Sequence, residues 1–338
     1  MKRQGTPSAT LISELAGVSK STVSRALAGN PSISEATRKR ILKIAAEVGY
    51  EPNAMASSLV TMKSGVLGFV IASMENPFYQ EHIERIARLS AEAGHQLMLF
   101  QVSATGDLLD VVPAMARYRL RGAIVIASVN SSDKALEQCH RHGIPVVLIN
   151  RLANDGHTSS VLCNNEAGAR VMARYLIEGG HRRIAVLSGR EGSIVNRDRL
   201  IGLRAVLAEH GLTEVAELKG EFIFDKAYQV TRDYLKARPD VDAIFAVSDL
   251  MACGAMDAAR DEGIRVPQDL SIVGFDGIRP ASWPAYRLTT VEQPAEEMLK
   301  RAIELAARPD TGDVPSAEVV YINGRLKIRA SARKPAAS

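Results

Sequence analysis

The chain has 338 residues, 46% of them hydrophobic and 24% charged, which is the composition of a globular protein of two or three domains. No run approaches the roughly 20 apolar residues of a membrane span, and the polar N-terminus lacks a signal-peptide core, so we expect a cytoplasmic protein without a membrane partner. The odd cysteine count (Cys139, Cys163 and Cys253) and the wide spacing disfavour a disulfide framework and a metal site.

Positive charge is concentrated at the N-terminal end. Residues 1–64 hold nine Lys or Arg and four Glu, a net charge of +5. The whole chain carries +4, so the remainder sums to about −1. This asymmetry is expected where one end of a protein meets phosphate groups, although a solvated basic face would give the same count.

The first 50 residues predict three short helices. Leu11, Ile12 and Leu15 recur at helical spacing behind Ser8, which can cap the first helix, and Gly17 ends it.

The second predicted helix, Lys20–Ala28, is capped by Ser19 and presents a polar, basic outer face. Its inward residues are Val23, Ala26 and Leu27, and its outward residues are Lys20, Ser21, Ser24 and Arg25. A third helix follows, from a cap at Ser34 to Gly49. A helix, a glycine turn and a second helix with basic residues near its N-terminus predict a helix-turn-helix DNA-binding domain.

From Gly65 onward, buried strands alternate with amphipathic helices in two successive series. The first series predicts strands at Val66–Ile71, His95–Gln101, Ala123–Ala127 and Val146–Ile149. The second predicts strands at Ile184–Leu187, Phe222–Phe224, Ile244–Val247 and Ser271–Phe275. Helices are expected between them, for example at Asn165–Gly179 and Leu250–Glu262. Two such series predict two doubly wound α/β lobes.

Known cofactor and catalytic motifs are absent. There is no Gly-x-x-x-x-Gly-Lys-Ser/Thr loop and no Gly-x-Gly-x-x-Gly turn after a strand, so we expect no cofactor. The run Cys139-His140-Arg141-His142 occupies helical positions that do not converge on one metal ion. No Ser/His/Asp or Cys/His set stands in motif context, so we expect neither catalytic residues nor an enzyme.

Two runs in the head carry a family resemblance. The run Ala16-Gly17-Val18-Ser19-Lys20-Ser21-Thr22-Val23-Ser24-Arg25-Ala26-Leu27 and the segment Gly49-Tyr50-Glu51-Pro52-Asn53-Ala54 resemble the lactose-repressor/galactose-repressor (LacI/GalR) family. Leu11 departs from the pattern, because family members usually carry Asp there. The resemblance continues to nearly full length through Asn76-Pro77-Phe78, His181-Arg182-Arg183-Ile184, Ser248–Ala252, Val266–Asp276 and Gln293-Pro294.

The resemblance implies a fold class and a domain plan. An all-α helix-turn-helix head at 1–53 and a hinge helix and linker at 54–64 precede an effector-binding domain at 65–332, which is a two-lobed, doubly wound α/β sensor like the periplasmic binding proteins. The N-lobe takes 65–162 and 292–322, the C-lobe takes 163–291 and 323–332, and 333–338 is a tail.

The resemblance also implies roles at DNA. Lys20, Ser21 and Arg25 are expected at base edges in the major groove, and Ser19, Thr22, Ser24 and Asn53 at phosphates. Within the hinge segment 54–60, Ala56 and Leu59 are expected at the minor groove, with Leu59 as an apolar wedge. Taken alone, Leu59 could equally be a buried linker leucine. So short a helix would form only when it pairs with its dimer mate on DNA.

Ligands of open α/β sheets bind beyond the carboxyl ends of the strands, so we expect an effector between the lobes. Strand ends supply Ser73, Asn150, Ser248 and Asp276, and the resemblance adds Phe78, Tyr79, Arg199 and Phe222. Arg199 and Asp276 could serve a polyol as donor and acceptor, or could form a structural ion pair. Phe78 and Tyr79 could be plain core. Asn150 and Asn164 replace the usual Asp, which leaves room for an acidic effector.

Three functions remain in competition. The first is a ligand-responsive regulator, with repression the expected mode, that binds a pseudo-palindromic double-stranded operator as a homodimer; a tetramer stays open. The second is a sugar-binding module of the periplasmic kind, and the third is a sugar-active enzyme. The basic head favours the first.

Overall fold

The computed structural model describes residues 7–27, 30–50, 65–72, 74, 76–103, 106–237, 239–308 and 316–335. Three helices form the head: α1 (Ala9–Ala16), α2 (Lys20–Leu27) and α3 (Glu35–Glu47). The predicted caps are confirmed, because the hydroxyls of Ser8, Ser19 and Ser34 each accept a backbone N–H three residues ahead. Gly17 ends α1 with φ at 62°, a left-handed conformation that suits glycine.

The head helices enclose a small apolar core. Ile12, Val23 and Ile41 are fully buried. Leu15, which the periodicity assigned to the apolar stripe, is instead 57% exposed. The buried face of α1 is set by Ile12 and Ala16, four residues apart, and Leu15 lies beside that face.

The remaining chain builds two six-stranded sheets with helices on their faces. The strands are β1 (Val66–Ile71), β2 (Gln96–Gln101), β3 (Gly122–Ile126), β4 (Val146–Ile149), β5 (Ser159–Cys163), β6 (Ile184–Ser188), β7 (Ala216–Lys219), β8 (Ala243–Ala246), β9 (Ser271–Asp276), β10 (Thr289–Glu292), β11 (Val319–Ile322) and β12 (Arg325–Lys327). The helices are α4 (Pro77–Glu92), α5 (Val112–Arg117), α6 (Asp133–Arg141), α7 (Asn165–Glu178), α8 (Ile194–Glu209), α9 (Phe224–Lys236), α10 (Asp249–Asp261) and α11 (Ala295–Ala306).

The first sheet, in the N-lobe, has the order β11-β5-β4-β3-β1-β2, and its strands pair in parallel. The second, in the C-lobe, has the order β12-β10-β9-β8-β6-β7 and is parallel except for β12. Central strands such as β3, β6 and β8 are buried along their whole length, as parallel strands covered on both faces must be.

The chain passes between the two lobes at three places. It leaves β5 of the first sheet at Cys163 and enters α7, which packs on α8 in the C-lobe. It returns after β10 through residues 293 and 294 to α11, which packs on β4 and β5. It crosses again between β11 and β12. These three crossings connect the two lobes covalently in the described part of the chain.

One predicted strand is wrong. Residues 222–224 do not form a strand, because Glu221 and Phe222 have positive φ values of 54° and 63° and turn the chain into α9. The strand of this unit is β7, an edge strand whose residues alternate between half-buried and exposed positions. Its short Ala-Glu-Leu-Lys sequence carries little apolar pattern.

All three cysteines are buried free thiols, as predicted. Burial raises the pKa of Cys139 and of Cys163 to about 12, so neither is a reactive thiolate near neutral pH.

Candidate nucleic-acid interface and ligand cleft

The outer face of α2 is polar, basic and open to solvent. Val23 and Ala26 are 0% and 1% exposed, and their burial fixes the rotation of the helix on the head core. Lys20, Ser21 and Arg25 are consequently exposed, and Ser24 is partly exposed. Among the described residues, no carboxylate lies within ion-pair distance of Lys20 or Arg25. Both charges are therefore available to phosphate or to base edges.

The N-terminus of α2 is held together by hydroxyl groups. Ser19 Oγ accepts from the Thr22 N–H at 3.1 Å and lies 2.8 Å from the Ser21 and Thr22 hydroxyls. Arg25 Nε donates to the Ser21 carbonyl at 3.3 Å, which draws its stem along the helix. Unpaired backbone N–H groups and hydroxyls at a helix N-terminus make a favourable site for a phosphate.

Four predicted contact residues lie outside the described part of the chain. They are Asn53, Ala56 and Leu59 at the DNA-binding end and Ser73 in the cleft, and they remain predictions.

On the C-lobe side of the cleft, Arg199 of α8 reaches the carboxyl ends of β8 and β9. Its side chain is 1% exposed, Nη1 lies 2.9 Å from Asp276 Oδ1, and the same nitrogen donates to the Val247 carbonyl at 2.5 Å. Its Cζ atom lies 3.8 Å above the Phe275 ring centre. The guanidinium is therefore fixed on an aromatic face with one carboxylate partner.

Arg199 and Asp276 are thus in contact, as either a ligand-binding pair or a structural ion pair requires. Arg199 Nη2 has no hydrogen-bond partner among the described groups, although it is buried. A buried unpaired guanidinium nitrogen is costly, so an incoming acceptor at this position would be favoured. Burial raises the pKa of Asp276, and the Arg199 charge opposes that rise.

Asp249 is a second carboxylate at this edge, but its contacts are structural. It is fully buried and accepts from the Gly277 and Ile278 N–H groups at 2.7 and 2.9 Å and from the Thr290 hydroxyl. Burial raises its pKa to about 7, with a further contribution from the Asp276 carboxylate. Asp249 holds the turn after β9, where Asp276 adopts an unusual φ of 127°.

Phe222 and Ser248 also border the C-lobe edge. A Cβ atom on Gly189 would lie 2.2 Å from the Phe222 ring, so a glycine is needed at the end of β6 for this ring to pack there. Ser248 is 1% exposed and caps α10 by accepting from the Met251 N–H at 3.4 Å. Its hydroxyl hydrogen remains available to a ligand.

Phe78 and Tyr79 stand on the N-lobe side, in the first turn of α4. Asn76 caps this turn by accepting from the Phe78 N–H at 2.9 Å. The Phe78 ring packs 5.4 Å from Tyr79 and 4.1 Å from His82, so Phe78 is chiefly a packing residue. Burial raises the pKa of Tyr79, and charges across the cleft, on Asp276, Arg190 and Arg199, also act on it. The Tyr79 phenol is therefore close enough to the C-lobe for these charges to affect its pKa.

Comparison with known families fits both parts of the chain. Residues 12–53 match the family described as bacterial regulatory proteins, lacI family, and residues 173–332 match the periplasmic binding protein-like domain. The probable HTH-type transcriptional repressor ExuR of Bacillus subtilis is 30% identical over 96% of this chain and 97% of its own length. The chain belongs to the LacI family of bacterial regulatory proteins.

Two solved structures agree with this assignment. The transcriptional regulator CelR in complex with cellobiose is 29% identical, covers 96% of this chain and 100% of its own, and has a TM-score of 0.71. The lac repressor dimer bound to operator and the anti-inducer ONPF is 25% identical, covers 95% and 97%, and has a TM-score of 0.78. This LacI-family chain is a DNA-binding transcription regulator and not an enzyme.

In this LacI-family regulator, Asn150 is occupied by structural bonds. Its Oδ1 accepts from the Cys163 N–H at 2.9 Å, and its Nδ2 donates to Gln293 Oε1 at 2.8 Å. Both polar ends of the amide are therefore engaged within the protein, even though its position at a strand end suggested a ligand contact.

The bonds of Asn150 belong to a closed ring at the lobe crossings. Gln293 Nε2 donates to Asp276 Oδ1 at 2.8 Å, Arg199 Nε donates to Asn165 Oδ1 at 2.8 Å, and Asn165 Nδ2 donates to the Cys163 carbonyl at 3.1 Å. The ion pair of Arg199 and Asp276 closes it. We call this set the hinge ring: Asn150, Cys163, Asn165, Arg199, Asp276 and Gln293. Asn165 and Gln293 had not been identified as site residues, and only the Gln293-Pro294 motif could have suggested one of them.

A second contact between the lobes was also not anticipated. Arg279, after β9, donates through its backbone N–H to Glu81 Oε1 at 2.6 Å and through Nη2 to Glu84 Oε2 at 2.7 Å, both on α4 of the N-lobe. Glu81 is 8% exposed and also accepts from Arg85 at 3.1 Å. We call this contact the Arg279 latch, and it holds the lobes in the arrangement seen here.

None of the described helices is long and apolar enough to span a membrane. Within the described ranges, no group of three or more His, Cys, Asp or Glu side chains is arranged to hold a metal ion.

Proposed function

We propose that this regulator is a repressor that binds a pseudo-palindromic operator in the cytoplasm as a homodimer, and that a small molecule bound between its lobes controls the binding. The observation that carries the proposal is the exposed basic face of α2, whose Lys20 and Arg25 have no carboxylate partner among the described residues. One helix-turn-helix per chain reads one half-site, so a symmetric site requires two chains.

Within the head, we assign Lys20, Ser21 and Arg25 to base edges and Ser19, Thr22 and Ser24 to phosphates. Arg25 is suited to guanine because its guanidinium can donate to O6 and N7 together. The hydroxyls of Ser19 and Thr22 lie at the helix N-terminus, where a phosphate is favoured. Residues 1–53 would thus form the DNA-binding unit, and 54–64 would link it to the sensor at 65–332.

Coupling to a ligand requires a different affinity for two lobe arrangements. The hinge ring and the Arg279 latch both join the lobes, so a ligand that bonds to Arg199 and Tyr79 changes the relative stability of the arrangements. A coupling free energy of about 1–3 kcal/mol is typical, and it would change operator affinity roughly 5- to 150-fold. We propose sugars or sugar derivatives as the ligand class, as for the CelR relative.

The test of DNA recognition is binding-site selection followed by fluorescence anisotropy at fixed salt. Arg25→Ala should lose about 1–3 kcal/mol of operator affinity and relax base preference at one position per half-site. Lys43→Ala is the matched control, because Lys43 carries the same charge in the same head but is paired with Glu47. Equal affinity of the wild-type protein for all sequences at physiological salt would contradict the proposed function.

A further inference from the structure

Arg190 is an exposed cation at the carboxyl edge of the C-lobe sheet. It stands two residues after β6, the neighbour of β8, whose end is contacted by Arg199. Among the described residues, no carboxylate lies within 4.0 Å of its guanidinium. Glu221, whose pKa is lowered first by Lys226 and in smaller part by Arg190, is bonded to Lys226 at 2.6 Å. Arg190 therefore has no carboxylate in direct ion-pair contact among the described residues, and Glu221, the carboxylate whose pKa it helps to lower, is already bonded to Lys226.

Two buried polar atoms near this cation lack partners. Arg199 Nη2 is unpaired in a side chain that is 1% exposed, and Ser128 Oγ, which follows β3 on the N-lobe edge, is also buried and unpaired. Tyr79, on the N-lobe wall of the cleft, is close to groups of both lobes. Ser128 of the N-lobe is next to its phenol, and the charges of Arg190 and Arg199 of the C-lobe oppose the rise that burial causes in the pKa of that phenol. An unpaired donor, Arg199 Nη2, thus stands on the C-lobe wall, and the hydroxyl groups of Ser128 and Tyr79 lie on the N-lobe wall.

Two arginines at the strand ends near the cleft have no direct ion-pair partner among the described residues. Arg199 has Asp276 as its partner at 2.9 Å, whereas Arg190 has none in ion-pair contact in the described structure. Arg151, half-buried after β4, donates only to the Ala127 carbonyl at 3.3 Å and likewise has no carboxylate at ion-pair distance in the described ranges. Asp249, a buried carboxylate at the same edge, is engaged by two N–H groups and a hydroxyl.

We propose that the small molecule bound between the lobes is an acidic sugar derivative, with a carboxylate or phosphate ester bound by Arg190 and by Nη2 of Arg199. The inference rests on the proposed function and adds the charge class of the ligand. Hydroxyl groups of the same molecule would meet Tyr79 and Ser128 on the opposite wall. A bidentate guanidinium bond to an oxyanion supplies both strength and orientation.

The experiment compares acids with their neutral counterparts on the full-length protein. Thermal shift and calorimetry at constant ionic strength would use D-glucose, D-gluconate, D-glucuronate and D-glucose 6-phosphate, and the same series built on D-galactose and D-ribose. A ligand that binds only the folded state raises Tm. At least one acid should bind at least 10-fold more tightly than its neutral counterpart. Whether the sugar acids or the sugar phosphates bind then shows whether the anionic group of the ligand is a carboxylate or a phosphate ester.

Substitutions at Arg190 then test whether this residue binds the anionic group of the ligand. Arg190→Ala should weaken binding of that acid by roughly 10-fold or more and leave ligand-free operator affinity unchanged. Arg190→Lys should restore part of the affinity, because it keeps the charge. Arg197→Ala is the matched control, since Arg197 is an exposed arginine of α8 already paired with Asp198 at 2.9 Å.

The inference is overturned if no acid in the set stabilises the protein, if a neutral sugar binds as tightly as its acid, or if Arg190→Ala leaves the affinity for the acid unchanged. A neutral sugar that changes operator affinity would refute the acidic ligand and leave the regulator intact. Loss of sequence-specific DNA binding in the ligand-free wild type would instead refute the proposed function.

Discussion

Removing the Arg199 guanidinium tests how much of the C-lobe depends on the hinge ring. Arg199→Met keeps an apolar stem over Phe275 but removes the cation paired with Asp276 and the donor to the Val247 carbonyl and to Asn165 Oδ1; Asp276 Oδ1 then keeps the bond from Gln293 Nε2. Breaking a buried ion pair by removing one partner costs about 3–5 kcal/mol, because the remaining charge stays buried. For a domain of this size the loss corresponds to a fall in Tm of roughly 6–20 °C.

The assay is urea unfolding followed by circular dichroism and by the fluorescence of Trp283, the single tryptophan of the chain. Trp283 follows β9 in the C-lobe, so its signal reports on that lobe. The double variant Arg199→Met/Asp276→Asn should be destabilised by less than the sum of the single variants, since it leaves no unpaired charge. A loss under about 1 kcal/mol for Arg199→Met, or strict additivity, would refute the structural role of the pair.

Three further predictions follow from described contacts. Gly189→Ala should displace the Phe222 ring, with which a Cβ atom would collide, and lower ligand affinity roughly 10-fold in calorimetry while operator affinity stays within twofold. The folded-state pKa of Asp249 is raised above the unfolded value, so its contribution to stability grows as pH falls from about 7 toward 4. Asp249→Asn should remove that part of the pH dependence of Tm. An identical Tm–pH profile in both proteins would contradict this prediction. Glu81→Gln should loosen the Arg279 latch, lower the free energy of urea unfolding by about 1–3 kcal/mol and shift the lobe equilibrium seen by small-angle scattering. Glu84→Gln, at the exposed ion pair with Arg279, should lower the free energy of unfolding by under 1 kcal/mol.

Local sequence signals were sufficient for the head helices and for the strands β1–β4, β6, β8 and β9. Ser8, Ser19 and Ser34 cap their helices through bonds that span only three residues, so the sequence contains both partners. Strands such as β3 and β8 are continuous apolar runs, because both faces of a parallel sheet are covered.

Five strands were not predicted: the buried inner strands β5 and β10, and the more exposed β7, β11 and β12. β7, β11 and β12 are half-exposed and short, so neither periodicity nor a long apolar run distinguishes them from loops. Residues 222–224 were assigned to a strand, whereas Phe222 has a positive φ and its ring packs against Gly189. Such tertiary preferences override local propensity.

The sequence predicted where the site residues lie but not the hydrogen bonds that join them. Arg199 and Asp276 were paired through motif position, but Gln293 bonds to Asp276, 17 positions away, and to Asn150, 143 positions away. No periodicity links such residues along the chain. Asn150 shows the same limit, since its place at a strand end did not reveal that its amide is already bonded at both ends.

The closed hinge ring limits how descendants of this protein can acquire new ligands. A substitution at Asn150, Asn165 or Gln293 breaks bonds on both sides of its position, so it alters lobe stability whatever it does to the ligand. Arg190 and Ser128 lie outside the ring and make none of its bonds, and Arg190 has no ion-pair partner in the described structure. Divergence in ligand preference should therefore accumulate first at Arg190 and Ser128, while ring positions change only in compensated pairs.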